Sequence, residues 1–449
     1  MITRLDVGPD VAFHAPGYVA VVERSVAEDF ARSPLDPRWG GAGEELVRHA
    51  EAAQARWQEV PTEPFAPTCL TLYLNGDCNL RCTYCFSEPA RHGGARLTGE
   101  AVTAAARLVA ANCAARGVPV TVALHGGGEP TLHAELVEDL LGRVEVAAAE
   151  RDLPAFRYVA TNGVMSTARA AWLAGRVDLV GLSCDGPPDL HDAQRPTWAG
   201  RPTSRTVERT ARVLREAGTP FHVRVTVTAE TCDRQEEIAE YLCGLGAAEI
   251  HAEPVYRLGR AAAGAARTAA SPPFDPAAFV DHFLAAQEVA RSHGVAYLTS
   301  GSRIGEVHGP YCHLLRQVLQ LVPGDVATSC FAVSDAAAAR ATGTVIGRWD
   351  GESFAVDGAV VRRQQERLAV WPAACESCAA RLHCAGTCPE GCVLAGRTPP
   401  DSLRCEVNRL LAEAQIRAAA QRLRRESTAA VTAGAPGRCP TALERTGRP

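Results

Sequence analysis

No lysine occurs in the 449 residues, so every one of the 46 positive charges is an arginine. That absence excludes a Schiff-base lysine of the pyridoxal-phosphate type and the lysine of a Walker-A phosphate loop. Long apolar runs are also missing, and Met1–Asp10 holds no apolar signal core, so neither a membrane span nor a secretory signal is expected. The formal net charge of −5 offers no general electrostatic basis for holding DNA or RNA. A cytoplasmic protein, with no nucleic-acid or membrane partner, is the expectation.

Cysteine is the residue in excess, with 17 in the chain. Disulfide scaffolds are typically short and secreted. Clustered cysteines in a long chain without a secretory signal point instead to bound metal. An apolar fraction of 47% is enough for a sizeable core.

Residues 1–67 form a preface: a hairpin-like stretch, VAFHAPGYVAVV, then a helical pattern around Glu44–Trp57 and punctuation by Pro61, Pro64 and Pro67. Over 68–260 apolar β-type runs stand at Leu70–Leu74, Val118–Leu124, Phe156–Thr161, Leu179–Ser183, Phe221–Thr228 and Glu249–Val255. Helical patterns separate them at Glu100–Arg116, Ala134–Glu150, Ser166–Ala174, Ser204–Ala217 and Arg234–Leu245. This alternation predicts a parallel α/β sheet or barrel, with functional groups at the C-terminal strand ends. Residues 261–299 are expected as linker and helix, with Gly259–Pro273 as the linker proper and a helix over Asp275–His293. A cysteine-rich region follows over 300–412. A closing helix over Arg404–Arg425 leads into a polar tail from Ser427 expected to lack structure; 413–449 is taken as this last segment.

Directly after the first β-type run stands Cys78-Asn-Leu-Arg-Cys82-Thr-Tyr84-Cys85-Phe86. Three thiols on one loop can hold three irons of a four-iron cube and leave the fourth open. Half of a zinc site is the alternative. The second run ends in His125-Gly126-Gly127-Gly128-Glu129-Pro130, where glycines permit close backbone approach. After the fourth comes Ser183-Cys184-Asp185-Gly186-Pro187, followed by His191 and Arg195.

Taken in order, these motifs resemble the radical S-adenosylmethionine (SAM) superfamily over about residues 68–260. The resemblance implies a partial (β/α)6 barrel of TIM type. It implies a [4Fe-4S] cluster on Cys78, Cys82 and Cys85, whose open iron is chelated by SAM. By the same resemblance Tyr84, Gly127, Gly128, Glu129, Pro130, Ser183 and Arg195 belong to the cofactor site, arginine suiting the SAM carboxylate. Asp185 is placed near the cofactor or given to the turn before Gly186. Arg224 is placed in the barrel interior or in solvent, and Val255 against the adenine or in the core. Thr161-Asn162-Gly163 is a related turn. One electron from the cluster would cleave SAM to a 5′-deoxyadenosyl radical that abstracts a substrate hydrogen.

A second constellation reads Cys375-x2-Cys378-x5-Cys384-x3-Cys388, then Cys392 and Cys405, with Cys312 and Cys330 upstream. A structural zinc site is one solution. Downstream of such a barrel, the run resembles the SPASM extension, which carries two auxiliary iron–sulfur clusters, here of the [4Fe-4S] type. Carried over by position, Cys375, Cys378, Cys384 and Cys405 hold the distal cluster, and Cys312, Cys330 and Cys388 the nearer one. The nearer cluster lacks a fourth cysteine between Cys312 and Cys330, so an open iron, Cys392 or another group completes it. Phe331 follows Cys330, where sulfatase-maturing enzymes place a catalytic aspartate, and Asp335 is not a simple substitute. Cys184 is a candidate hydrogen donor beside the SAM loop.

The resemblance to radical SAM/SPASM enzymes implies an enzyme that oxidatively modifies a ribosomally made precursor peptide, fed electrons by a donor such as flavodoxin or ferredoxin. The acid, base or hydrogen donor is not identifiable from the sequence. The alternatives are sulfatase maturation, oxidation or epimerisation of a small metabolite such as a sugar, and a non-catalytic iron–sulfur or zinc scaffold.

Overall fold

In the computed structural model the described residues are 1–57, 64–263, 273–307, 312–386, 388, 392, 394, 396 and 402–432. Pro61, most of the Gly259–Pro273 stretch and the tail beyond Thr432 lie outside them.

The chain opens with three antiparallel strands, β1 (Thr3–Val7), β2 (Asp10–Ala15) and β3 (Tyr18–Glu23). Strands β2 and β3 close over the Pro16–Gly17 turn, with Ala15 opposite Tyr18, and Gly17 supplies the positive φ of 82° that this turn needs. A helix over Gly41–Arg56 buries Leu46 and Ala50 against this sheet.

The main sheet takes its centre from six parallel strands. They are β4 (Cys69–Leu72), β5 (Val120–Leu124), β6 (Ala155–Thr161), β7 (Leu179–Ser183), β8 (Phe221–Val227) and β9 (Glu249–Pro254). Each pairs in parallel with the next. The runs predicted from the sequence coincide with them to within two or three residues. Their crossovers are helices whose ends follow side-chain rules. Thr98 and Ser166 cap Gly99–Arg116 and Thr167–Arg176, and Gly117, left-handed at φ 63°, terminates the first. Further crossover helices span Ala134–Ala149, Ser204–Glu216 and Gln235–Gly244. Val109, Leu140, Val144, Leu173, Leu214 and Leu242 bury the inner helix faces against the strands. This is the partial (β/α)6 arrangement expected from the alternation of strand and helix patterns.

The sheet does not stop at the barrel. Strand β10 (Ala296–Leu298) adds in parallel to β9. On the other edge β11 (Val318–Val322) pairs in parallel with β4. Strands β12 (Val326–Thr328), β13 (Val345–Trp349) and β14 (Phe354–Val356) then continue antiparallel. Residues 318–356 of the cysteine-rich region are thereby tied by backbone hydrogen bonds to the strand that leads into the first cysteine loop.

The predicted helix over 275–293 is present as Pro276–Ser292, capped by Asp275. The last helix runs Leu403–Thr432 and so continues past Ser427, into the segment expected to lack structure. Its Ala412, Ile416, Ala419 and Leu423 pack with Ala12 and Val19 of the first sheet. No helix among the described residues is long and apolar enough to cross a membrane.

Candidate functional site

Leaving β4, the chain is pinned before it reaches the cysteines. Asn75 and Asp77 carry the pins: the Gly128 amide donates to Asn75 O at 2.9 Å and the Glu129 amide to Asp77 O at 2.7 Å. A Cβ on Gly128 would stand 2.1 Å from that Asp77 oxygen, and one on Gly127, at φ 90°, would stand 3.2 Å from Asn75 O. The glycines thus permit close approach to the protein's own cysteine loop.

Glu129 is buried, and its carboxylate accepts from the Thr131 amide and hydroxyl, the Thr161 hydroxyl and the Asn162 amide, at 2.7–3.1 Å. Burial pushes its carboxyl above the ordinary range although these donors oppose the shift. It joins the ends of β5 and β6, with Pro130 buried beside it.

The loop itself is held from three sides. Asn162 directs its amide at Cys78 Sγ (3.8 Å) and Asn79 Oδ1 (2.8 Å). Trp198 Nε1 donates to Cys78 O at 2.8 Å. Arg260 donates its guanidinium to Cys82 O and its amide to Cys85 O, both at 3.0 Å. Sequence reasoning missed Trp198 and Arg260 as site residues and gave Asn162 only a turn. Gly259 and Arg260 also correct the expectation of a linker starting at Gly259. A Cβ on Gly259 would meet Cys85 O at 2.6 Å, so the chain is packed under the loop there.

Beside the loop, Asp185 is fully buried and receives Tyr84 Oη at 2.6 Å, Gln194 Nε2 at 2.9 Å and the Thr226 amide at 3.0 Å. Arg195 grips it with two bonds of 2.9 and 3.1 Å and stacks over Tyr84 at 5.3 Å. Burial works against the Asp185 carboxylate, but the Arg195 charge and these donors hold it below the usual range. Among the described residues, the carboxylate that Arg195 meets is that of Asp185. Of the two roles given to Asp185, the structure shows a hub of hydrogen bonds. Arg224 faces inward and donates to His125 Nε2 at 2.6 Å. Ser183, paired with Arg224 in register, ends β7. Val255 continues β9 through its amide to Val227 O and packs on the core. Cys184 is buried and directs its thiol to Gly186 O, with burial raising its pKa to about 12. That is a packed structural thiol.

Cys312, Cys330, Cys375, Cys378, Cys384, Cys388, Cys392 and Cys405 all line one cavity. No disulfide occurs among the described cysteines. Burial raises the thiol of Cys375 to about 11 and those of Cys312 and Cys384 to about 12. In the first loop it raises Cys78 strongly and Cys82 to about 11. Thiolates in such places are costly unless cations balance them, and metal binding would release their protons. No three His, Cys, Asp or Glu side chains among the described residues converge on a point fit for a single ion. An iron–sulfur cube does not require that, because each thiolate binds a different iron. Eleven buried or half-buried thiols in two places suit such cubes.

The two places meet through aromatic rings. Phe86, next to Cys85, faces Phe331, next to Cys330, edge-on at 6.3 Å; Tyr256 lies 6.2 and 6.3 Å from the two. His313, next to Cys312, stands 6.2 Å from Phe331. Asp335 is spent as the cap of the helix Ala336–Ala341, accepting from the Ala338 amide at 2.8 Å.

Residues 72–242 match the profile of the radical SAM superfamily. A cysteine-type anaerobic sulfatase-maturating enzyme of Clostridium perfringens is 27% identical over 171 residues, 36% of this chain and 45% of that protein. The sporulation killing factor maturation protein of Bacillus subtilis is 26% identical over 210 residues, 45% of this chain and 46% of that protein. The chain thus spans under half the length of these curated relatives. A solved structure of the anaerobic sulfatase-maturating enzyme with bound AdoMet and a peptide superposes with a TM-score of 0.59 at 19% identity, covering 79% of this chain and 99% of that one. At that identity the likeness is one of fold.

Proposed function

Since the chain belongs to the radical SAM superfamily through residues 72–242, we propose that it oxidatively modifies a peptide, using one SAM-binding [4Fe-4S] cluster and two auxiliary clusters. The observation that carries this reading is the aromatic box of Phe86, Tyr256 and Phe331, in which the residue after Cys85 of the first group meets the residue after Cys330 of the second. When bound, the first cluster and SAM would supply one-electron chemistry able to abstract a hydrogen atom from the substrate. Cys78, Cys82 and Cys85 would hold that cluster, while Trp198 and Arg260 fix their loop. Gly127 and Gly128 seat it on β4. The Asp185 hub keeps Arg195 and Tyr84 stationary beside it. The aromatic box excludes water and offers an apolar seat to a side chain of the substrate.

A polypeptide substrate is supported by the names of both curated relatives, each a maturation protein, and by the peptide in the related solved structure. Against sulfatase maturation stands Phe331, an aromatic ring where those enzymes carry their base. Domain limits of 1–67, 68–260, 261–299, 300–412 and 413–449 accompany this proposal, with a reducing protein such as flavodoxin or ferredoxin as electron donor.

The test is anaerobic reconstitution with iron and sulfide, followed by dithionite and SAM. We expect 5′-deoxyadenosine, and its loss in a Cys78→Ala, Cys82→Ala, Cys85→Ala variant. Coexpression with a short open reading frame from the same gene neighbourhood should give a peptide lighter by two hydrogens or their multiple. Zinc in place of iron with no 5′-deoxyadenosine would overturn the enzyme assignment. Conversion of a sulfatase-derived cysteine peptide to formylglycine would replace the peptide assignment with sulfatase maturation.

A further inference from the structure

Around the cavity of the second constellation, the eight thiols fall into two sets by proximity. Cys375 interacts electrostatically with Cys378 and Cys405, and Cys384 with the same two. Cys312 interacts instead with Cys392 and Cys330, and Cys388 with Cys392, Cys312 and Cys330. The first grouping is Cys375, Cys378, Cys384 and Cys405. The second is Cys312, Cys330, Cys388 and Cys392, within which the Cys388 and Cys392 thiols share a hydrogen bond.

We propose that Cys392 is the fourth protein ligand of the nearer auxiliary cluster, so that this cluster is closed and offers no iron to the substrate. The proposal rests on the presence of auxiliary clusters argued above and specifies the coordination of one of them. Geometry is its first support: Cys392 lines the same cavity as Cys312, Cys330 and Cys388. Spacing is the second. Cys388 and Cys392 are separated by three residues, an arm short enough to bring both thiols to one cube. The count is the third, since four thiols per set satisfy a cube with one thiolate per iron. The gap left by the missing cysteine between Cys312 and Cys330 is thus filled from the C-terminal side. A closed cluster cannot ligate a peptide thiolate or amide. Substrate orientation then falls to side chains such as those of the aromatic box.

The experiment uses the full chain carrying Cys78→Ala, Cys82→Ala and Cys85→Ala, which removes the first cluster from the signal. After anaerobic reconstitution this parent should hold about eight irons per chain, four for each auxiliary cube. Its dithionite-reduced electron paramagnetic resonance spectrum should not change when cyanide is added as a probe of open iron. Adding Cys392→Ala should make the spectrum respond to cyanide, whereas Cys392→Ser, which keeps a ligand oxygen, should alter the spectrum yet leave it unresponsive. Cys243→Ala, in a thiol outside both sets, is the control and should match the parent. A parent that already responds to cyanide, or a Cys392→Ala spectrum identical to it, overturns the assignment of Cys392. A parent that binds no iron overturns the auxiliary clusters themselves, which is a different failure.

Discussion

Asp185 takes five hydrogen bonds from Tyr84, Gln194, Arg195 and the Thr226 amide without touching solvent. Removing its charge would strand a buried guanidinium, which typically costs about 3–5 kcal/mol. Asp185→Ala is therefore expected to lower the urea unfolding midpoint by a large margin, measured by circular dichroism on the reconstituted protein. An unchanged midpoint would mean that Arg195 finds another partner. Gly128 makes a second residue-scale prediction. Its Cβ would meet the Asp77 backbone oxygen at 2.1 Å, and backbone cannot yield as a side-chain tip can. Gly128→Ala should displace the cysteine loop and cost roughly 1–3 kcal/mol, together with most 5′-deoxyadenosine formation. Wild-type turnover in that variant would contradict the packing. At this scale the motif residues were legible in the sequence but their partners were not. Nothing in Ser183–Pro187 tells that Arg195 will bind Asp185, because that pairing depends on where a helix folds back.

The last helix is anchored at its first turn. Arg404, buried, donates to Glu253 Oε2 at 2.5 Å and to Ser300 Oγ at 3.0 Å, and it stacks over Tyr256 at 4.7 Å. Burial disfavours the Glu253 carboxylate, yet Arg404 and Ser300 hold its pKa below the usual carboxylate value. Arg404→Met should cost about 3–5 kcal/mol, and Glu253→Gln with Arg404→Met much less. A double-mutant cycle on unfolding midpoints measures the difference, and additive effects would refute the coupling. The long periodic elements of the barrel could be read from sequence because their apolar residues repeat over many turns or along a full strand. Strands β10, β12 and β14 could not, since three residues carry no periodicity, and β10 pairs with β9 more than forty residues earlier. Trp198 and Arg260 escaped for a related reason, being single residues, one in a loop and one opening the short helix Arg260–Ala263, brought to the cysteines by the fold.

For the molecule as a whole, several buried histidines are neutral in the fold. Burial holds His14 and His125 well below the ordinary value of 6.5, lowers His251 and takes His191 down to about 4. His191 accepts from the Asp185 amide on Nδ1, so its Nε2 carries the proton toward Thr203 Oγ1. The unfolded chain binds protons on these rings first, so stability is complete above their unfolded pKa and erodes as pH falls toward the folded values. Thermal melts should thus be level above about pH 7 and decline from about pH 6.5. A melting temperature level down to about pH 5 would show that these rings charge without cost.

The final helix also serves two neighbours at once. Its first turns place Cys405 and Asn408 on the wall of the cysteine cavity, and its later residues Ala412, Ile416, Ala419 and Leu423 pack with Ala12 and Val19. Cavity and first sheet therefore share one rigid partition, and a change that loosens the helix at either end is felt at both.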